Sequence, residues 1–208
     1  MNINDKIFAA LYDVVNQSVE SKLVEFRKMT AGVASGQVLE IGAGTGANFT
    51  FYRPDTKLTV LEKNEFMFPK IFNAASNCGI DTTLVKGSSF YIPFADNSFD
   101  SIVTTLVLCM VEDLESTLSE IKRVLKSGGV FYFYEHVKSS DGIRSRFEDY
   151  INPFWKYFTN GCNLNRNLGQ SISNCGFEKI YLETHHLSVG LPITIPNIVG
   201  HAVVGIKY

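Results

Sequence analysis

Apolar residues at Ile7, Phe8, Leu11, Tyr12, Val15, Val19, Leu23 and Phe26 recur at three- and four-residue steps, with charged residues between them. That period predicts an amphipathic helix, broken by Gly32 and the stretch Ala34-Ser35-Gly36. The pattern then shortens. Val38-Leu39-Glu40-Ile41 reads as a buried strand stopped at Gly42, and Leu58-Thr59-Val60-Leu61-Glu62 as a second. A helical piece near residues 48–52 lies between them, ended by Arg53-Pro54-Asp55. A helix is predicted over 65–78, closed by Gly79, with Pro69 near its start. Residues 81–86 read as a third strand and 99–106 as a fourth, apolar and β-branched. Leu114, Leu118, Ile121, Val124 and Leu125 share one face of a helix over 114–125, closed by Ser127-Gly128-Gly129. A fifth strand is predicted over 130–136. Beyond it the pattern loosens. Residues 143–158 read as an aromatic-rich helix interrupted at Asn152-Pro153, 168–175 as a short helix, and 177–182 and 201–207 as two last strands.

Strands alternating with helices predict an α/β fold with a mainly parallel sheet covered on both faces. Such a sheet binds ligands at the carboxyl ends of its strands, which singles out the loops after Ile41, Glu62, Lys86, Leu106 and His136. At 208 residues the chain has room for one domain with a sizeable core. We divide it into an N-terminal helical lid (1–35), a core (36–136) and an acceptor-side segment with the last two strands (137–208). Composition narrows the classes further. With 19 Lys and Arg against 21 Asp and Glu, no positive field favours nucleic acid. The longest apolar run, near residues 102–111, is interrupted by two threonines, so no transmembrane segment is expected. Four scattered cysteines and no secretory signal point to a cytoplasmic protein with free thiols.

Gly42, Gly44 and Gly46 alternate directly after the first strand. Alternate glycines permit a tight turn and close approach of a ligand to the main chain. The pattern is GxGxG, with no following Lys, which disfavours a pyrophosphate ligand. Glu62 stands 20 residues past Gly42 at the end of the second strand, where a carboxylate accepts two hydrogen bonds from a ribose diol.

The string VLEIGAGTG resembles motif I of the class I S-adenosylmethionine-dependent methyltransferases. Three further features extend the likeness: Glu62 itself, the segment IPFADNSFD over 92–100, and IKRVLKSGG over 121–129. Together they span residues 36–136 in order and at the spacing of that family. The resemblance implies a Rossmann-like, seven-stranded sheet of order 3-2-1-4-5-7-6 whose last strand is antiparallel. It implies S-adenosyl-L-methionine as cofactor. The implied cofactor residues are Tyr12, Glu40, Gly42, Ala43, Gly44, Gly46, Asn48, Glu62, Lys63, Ser88, Ser89, Phe90, Thr105 and Leu106. Glu40 would organise the glycine loop and Glu62 would hold the ribose. The family often has an acid after the glycine that follows strand three. Here Gly87 precedes Ser88-Ser89-Phe90, so a serine oxygen or a backbone carbonyl is left to take the adenine amino group, with Phe90 available to pack on the ring.

Narrower strings, TGAN over 45–48, TLVLC over 105–109, FYFYEHV over 131–137 and NGCNLNR over 160–166, resemble the small thiol S-methyltransferase branch. Its animal members carry a hydrophobic N-terminal anchor that we do not expect here, and they tend to have Asp where this chain has Asn160. The implied reaction is methyl transfer to a small apolar acceptor, with thiol sulfur favoured over C- or O-methylation of a quinone or phenol; the alternative from another class is a non-catalytic cofactor-binding scaffold, against which the intact glycine loop and Glu62 argue. A thiol with a pKa near 8.5 is already a few per cent thiolate at neutral pH, so strong base catalysis is not required. His136, at the end of strand five, is the candidate proton acceptor. Cys162, Asn163 and Trp155 are the candidate acceptor contacts. The aromatic residues Phe147, Tyr150, Phe154, Trp155, Tyr157 and Phe158 are expected mostly in the core, with some lining an acceptor pocket. No metal site is expected: His185 and His186 are adjacent in a strand and point to opposite faces.

Overall fold

The computed structural model describes residue 6 and residues 20–159, 161–188 and 194–206. Seven strands form one sheet in the order β3-β2-β1-β4-β5-β7-β6. They are β1 (Gln37–Ile41), β2 (Lys57–Glu62), β3 (Thr82–Lys86), β4 (Phe99–Thr105), β5 (Leu125–His136), β6 (Lys179–Ser188) and β7 (Thr194–Val203). The pairs β1–β2, β1–β4, β2–β3 and β4–β5 are parallel, whereas β7 runs antiparallel to both β5 and β6. This is the order and the antiparallel strand expected from the sequence. The helices are α1 (described over 20–29), α2 (Phe68–Cys78), α3 (Leu114–Val124), α4 (Gly142–Phe158) and α5 (Leu168–Asn174).

The central strands are apolar on both faces because helices cover both. One cluster joins Ile102, Phe131 and Phe133 to Leu118 and Ile121 of α3 and to Leu168 and Ile172 of α5. The other joins Val38, Val60 and Val103 to Met67, Ile71 and Ala75 at α2. Asp113 caps α3, its carboxylate accepting from Ser116 N at 3.0 Å. Gly79 ends α2 in the left-handed region at φ 63.

Four boundaries differ from the sequence reading. Glu65–Met67 is a 3-10 turn, and α2 proper starts at Phe68, with Pro69 in its first turn where no N–H is needed. β5 begins at Leu125, directly after α3; its Ser127-Gly128-Gly129 stretch is a register irregularity inside the strand, not a break before it. α4 runs through Pro153 without interruption. The last two strands are longer than predicted, and β7 starts at Thr194 instead of His201. Pro196 concealed it, yet this residue lies one position beyond the last β5 pair, His136–Asn197, so its missing N–H breaks no rung there.

The aromatic residues of α4 also depart from expectation. Phe147, Tyr150, Phe154 and Tyr157 are exposed, and Trp155 is more than a third exposed. The covered side of α4 is held by polar groups instead. Glu148 is buried and accepts from Ser139 N at 2.8 Å and from Arg144 Nε at 2.9 Å. Asn152 Oδ1 accepts from Leu164 N at 2.8 Å.

Candidate active site

The loop after β1 turns on three glycines of positive φ: Gly42 at 68°, Gly44 at 58° and Gly46 at 77°. Space adds a second demand. A Cβ on Gly46 would lie 2.6 Å from the Ala74 Cβ, and one on Gly42 would lie 2.8 Å from Val107 Cγ2. The parallel register sets Leu61 beside Ile41, which brings the end of β2 to this loop. Glu62 is buried there. Its Oε1 accepts from Asn64 N at 2.8 Å and its Oε2 from Gly44 N at 3.4 Å. The carboxylate thus ties the two loops together.

Behind the loop lies a polar chain. Glu40 Oε1 accepts from Asn48 Nδ2 at 2.9 Å, and Oε2 accepts from the Tyr52 hydroxyl at 2.9 Å. Asn48 also donates to Thr105 Oγ1 at 3.1 Å and accepts from Arg27 Nη1 at 2.5 Å. Arg27 in turn holds Glu20 at 3.0 Å, linking α1 to the loop. Burial raises the Glu40 carboxyl to about 7, against the lowering influence of its donors Tyr52 and Asn48. Tyr52 is pushed well above the ordinary phenol range by burial and by the adjacent Glu40.

A cavity of about 890 Å³ runs along the carboxyl edge of the sheet. Ser88 and Ser89 border it after β3, Glu62 and Lys63 after β2, Gly42 and Gly44 after β1, and Thr105 and Leu106 at β4. Eight of the residues expected at the cofactor therefore meet in one space. Glu40 and Asn48 support it from behind, and Phe90 is exposed and is not part of the lining. Tyr12 lies outside the described residues. Sequence reasoning missed Met110, Val111 and Glu112 after β4, and Pro153 and Lys156 on α4; Tyr157 lines the cavity, one of the aromatics from which some pocket lining was expected. Glu112 ion-pairs with Lys63. Leu106 is a further marker: a branched residue at φ 58, a conformation that costs about 1–3 kcal/mol and gathers at functional sites.

The expected acceptor residues sit at the β4–β5 end. His136 is buried, its Nδ1 is 3.8 Å from Cys162 Sγ, and its Nε2 has no hydrogen-bond partner among the described residues. Asn163 is buried too. Its side chain donates to the carbonyls of Cys109 and Gly161, both at 2.9 Å, and its backbone N–H donates to Cys109 O at 2.9 Å. It fastens the loop and is not part of the cavity lining. Trp155 borders Cys162 and does not line the cavity either. Cys109 joins this group, so that Cys109, His136 and Cys162 place three ligand-type atoms within 4.8 Å of one another. The neighbouring Cys109 thiol, and after it His136, holds the Cys162 thiol below the ordinary thiol range, while the same contact and burial push Cys109 up. Burial lifts Glu135, whose Oε1 accepts from Val107 N at 3.1 Å, to about 7.

Residues 39–133 match a methyltransferase domain family. The chain is 35% identical over 206 residues to the thiol S-methyltransferase TMT1B of Homo sapiens, covering 95% of this chain and 84% of that one. It is 33% identical to the human thiol S-methyltransferase TMT1A over 202 residues, covering 94% and 82%. The fold matches that of the YcgJ protein of Bacillus subtilis, with a TM-score of 0.71, 17% identity and coverage of 90% and 99%. The cavity fits a nucleoside with an amino-acid tail: a carboxylate to meet a diol, two glycines bordering the space, and serines one strand further along. The chain belongs to the class I S-adenosylmethionine-dependent methyltransferases, and S-adenosylmethionine is its methyl donor.

Proposed function

We infer that the enzyme methylates the sulfur of a small, apolar thiol. The observation that carries this reading is the similarity to two thiol S-methyltransferases along more than nine-tenths of the chain, including the β4–β5 end of the cavity. The cavity supports it. Leu106, Val107, Met110 and Val111 form an apolar wall beside Thr105, suited to an acceptor that brings little polarity.

When bound, S-adenosylmethionine supplies a methyl group on a positively charged sulfur, and the reaction is an in-line displacement. The residues of the chain then have three tasks. The Gly42–Gly46 main chain and Glu62 fix the amino-acid tail and the ribose, and Ser88 and Ser89 border the adenine end. The apolar wall excludes water and aligns the acceptor, lowering the entropic part of the barrier. His136 lies behind Cys162, away from the lining, and so acts on the acceptor end through that thiol.

The test is a mixed panel of alkyl thiols, phenols, quinols and amines incubated with enzyme and isotope-labelled S-adenosylmethionine. Mass spectrometry is expected to find the label on alkyl thiols. Label on a phenol or quinol, with no thiol turnover, would replace the sulfur assignment by oxygen or carbon methylation.

A further inference from the structure

Cys109, His136 and Cys162 come from three separate segments: the loop after β4, the last residue of β5 and the loop after α4. Each segment is held independently of the side-chain cluster. Arg166 donates from Nη1 to Leu108 O at 2.5 Å and from Nη2 to Val111 O at 2.6 Å, clamping the β4 loop. Asn163 closes the Cys162 loop onto Cys109 O with both its backbone and its side chain. Val137 N donates to Pro196 O at 2.9 Å, anchoring the end of β5. Two thiols and an imidazole are therefore brought together by the scaffold and kept there.

Their geometry is close to that of a tetrahedral site. Zinc bonds of about 2.3 Å to sulfur and about 2.0–2.1 Å to nitrogen put neighbouring ligand atoms about 3.5–3.8 Å apart. Cys162 Sγ and His136 Nδ1 are 3.8 Å apart, and all three ligand atoms lie within 4.8 Å. Three protein ligands leave a fourth position open, which is the arrangement of catalytic rather than structural zinc. The open side is also defined. Cys109 and His136 are buried, whereas Cys162 is partly exposed. Gly161 and Met110, the neighbours of the two cysteines, line the cavity, as does Leu106, whose carbonyl receives Cys109 Sγ at 3.6 Å.

We propose that Cys109, His136 and Cys162 form a Cys₂His site for a zinc(II) ion whose fourth position opens to the acceptor end of the cavity and seats the acceptor's sulfur. The ion site stands on the three residues alone, while its use as a sulfur seat rests on the thiol reading above. Loading the ion releases the two cysteine protons to solvent. An acceptor thiol displaces the water in the fourth position and loses its own proton to solvent. Its sulfur lone pair then forms the new carbon–sulfur bond. The sulfonium carbon–sulfur bond breaks, and its pair stays on the donor's sulfur. The product is a neutral thioether, a poorer zinc ligand than a thiolate, and departs.

The test uses the full chain, stripped by a chelator in the presence of a non-thiol reductant and titrated with cobalt(II). We expect one equivalent to bind, with a thiolate-to-cobalt charge-transfer band and the visible bands of tetrahedral cobalt. Cys109→Ser and Cys162→Ser should each weaken cobalt binding and lose about half of the charge-transfer intensity, one thiolate of two being removed, and a Cys78→Ser/Cys175→Ser double variant should keep it whole. Ethanethiol should shift the visible bands of the wild type, and zinc-free enzyme should methylate ethanethiol at least about tenfold more slowly than zinc-loaded enzyme. Absence of cobalt absorption in the wild type, or a band of undiminished intensity in Cys162→Ser, overturns the site. That result needs no variant of buried Cys109 to fold. Bound cobalt that ignores ethanethiol, or thiol methylation at full rate without metal, overturns the sulfur seat while leaving the methyltransferase reading in place. Failure of the thiol reading would show separately, as label on phenols in the acceptor panel.

Discussion

At the residue scale, we propose two tasks for Glu62. Its carboxylate already receives the N–H groups of Gly44 and Asn64, and it borders the cavity where a ribose would lie. A carboxylate oxygen accepts more than one hydrogen bond, so holding the loops and holding a diol are compatible. Each charge-assisted bond to a ligand is worth roughly 1.5–3 kcal/mol. Glu62→Ala should therefore weaken S-adenosylmethionine binding by about tenfold or more, measured by calorimetry, with circular dichroism showing the fold kept. Glu62→Gln retains an acceptor for the loops but loses the charge, and should fall between the two. Wild-type affinity in the Ala variant would move the ribose elsewhere. Asn163 makes the opposite point: a polar residue in a loop over a pocket reads as a ligand contact in sequence, yet its donors are engaged by the carbonyls of Cys109 and Gly161.

At the element scale, the sequence was most legible where local chemistry and tertiary packing agree. β1 and β2 are short apolar runs ended by glycines or by a carboxylate, and both appear where predicted. The glycine loop and Glu62 were legible for the same reason, since tight turns and strand-end acids leave marks in the residues themselves. The late strands were legible in number and place in the sheet but not in their bounds. β6 is an edge strand with mostly exposed residues, so it lacks the alternation that marks a half-buried strand. The Cys109–His136–Cys162 group was hidden because its members lie far apart along the chain and only β4–β5 pairing and the α4 loop unite them. Arg123 was hidden as well. It sits in the IKRVL string on α3, where it reads as a solvated charge. In the structure it donates to Ile92 O and Phe94 O, both at 2.9 Å, while pairing with Glu120 and Asp96. Its planar fork serves several acceptors that a lysine ammonium cannot reach together. Arg123→Lys should speed amide exchange across residues 92–98 selectively and cost about 1 kcal/mol in urea unfolding, a modest figure because the side chain is partly exposed. Unchanged exchange there would mean that the Phe94–Phe99 edge contact at 5.0 Å holds the segment alone.

At the scale of the whole molecule, the sheet order places the site as a line. Passing from β3 through β2 and β1 to β4 and β5, the strand ends present serines, Glu62, the glycine loop, Leu106 and then His136. On the proposed reading, a donor lying along that line would have its adenine near β3 and its methyl group near β4, beside the apolar wall. Behind the glycine loop lies the buried acid Glu40, and its burial has a thermodynamic consequence. Glu40 is raised from 4.5 to about 7 chiefly by desolvation. The folded protein thus holds this proton more tightly than the unfolded chain does. The resulting stability is fully present below about pH 4.5 and is lost as pH rises toward and through 7. For a fully buried group the loss is on the order of 3 kcal/mol. Carboxylates lowered by ion pairs, such as Glu120 beside Arg123, act in the opposite sense at lower pH, so the wild-type curve alone does not isolate Glu40. The difference between wild type and Glu40→Gln does. Glutamine keeps an acceptor for Asn48 or Tyr52 and cannot ionise. Urea unfolding of the ligand-free protein from pH 5 to pH 8 should show wild type losing stability more steeply than the variant. A slope remains in the variant, because Glu135 is raised to about 7 in the same way. Parallel curves would mean that Glu40 is already ionised at pH 5, held charged by Tyr52, Asn48 and Arg27 against its burial.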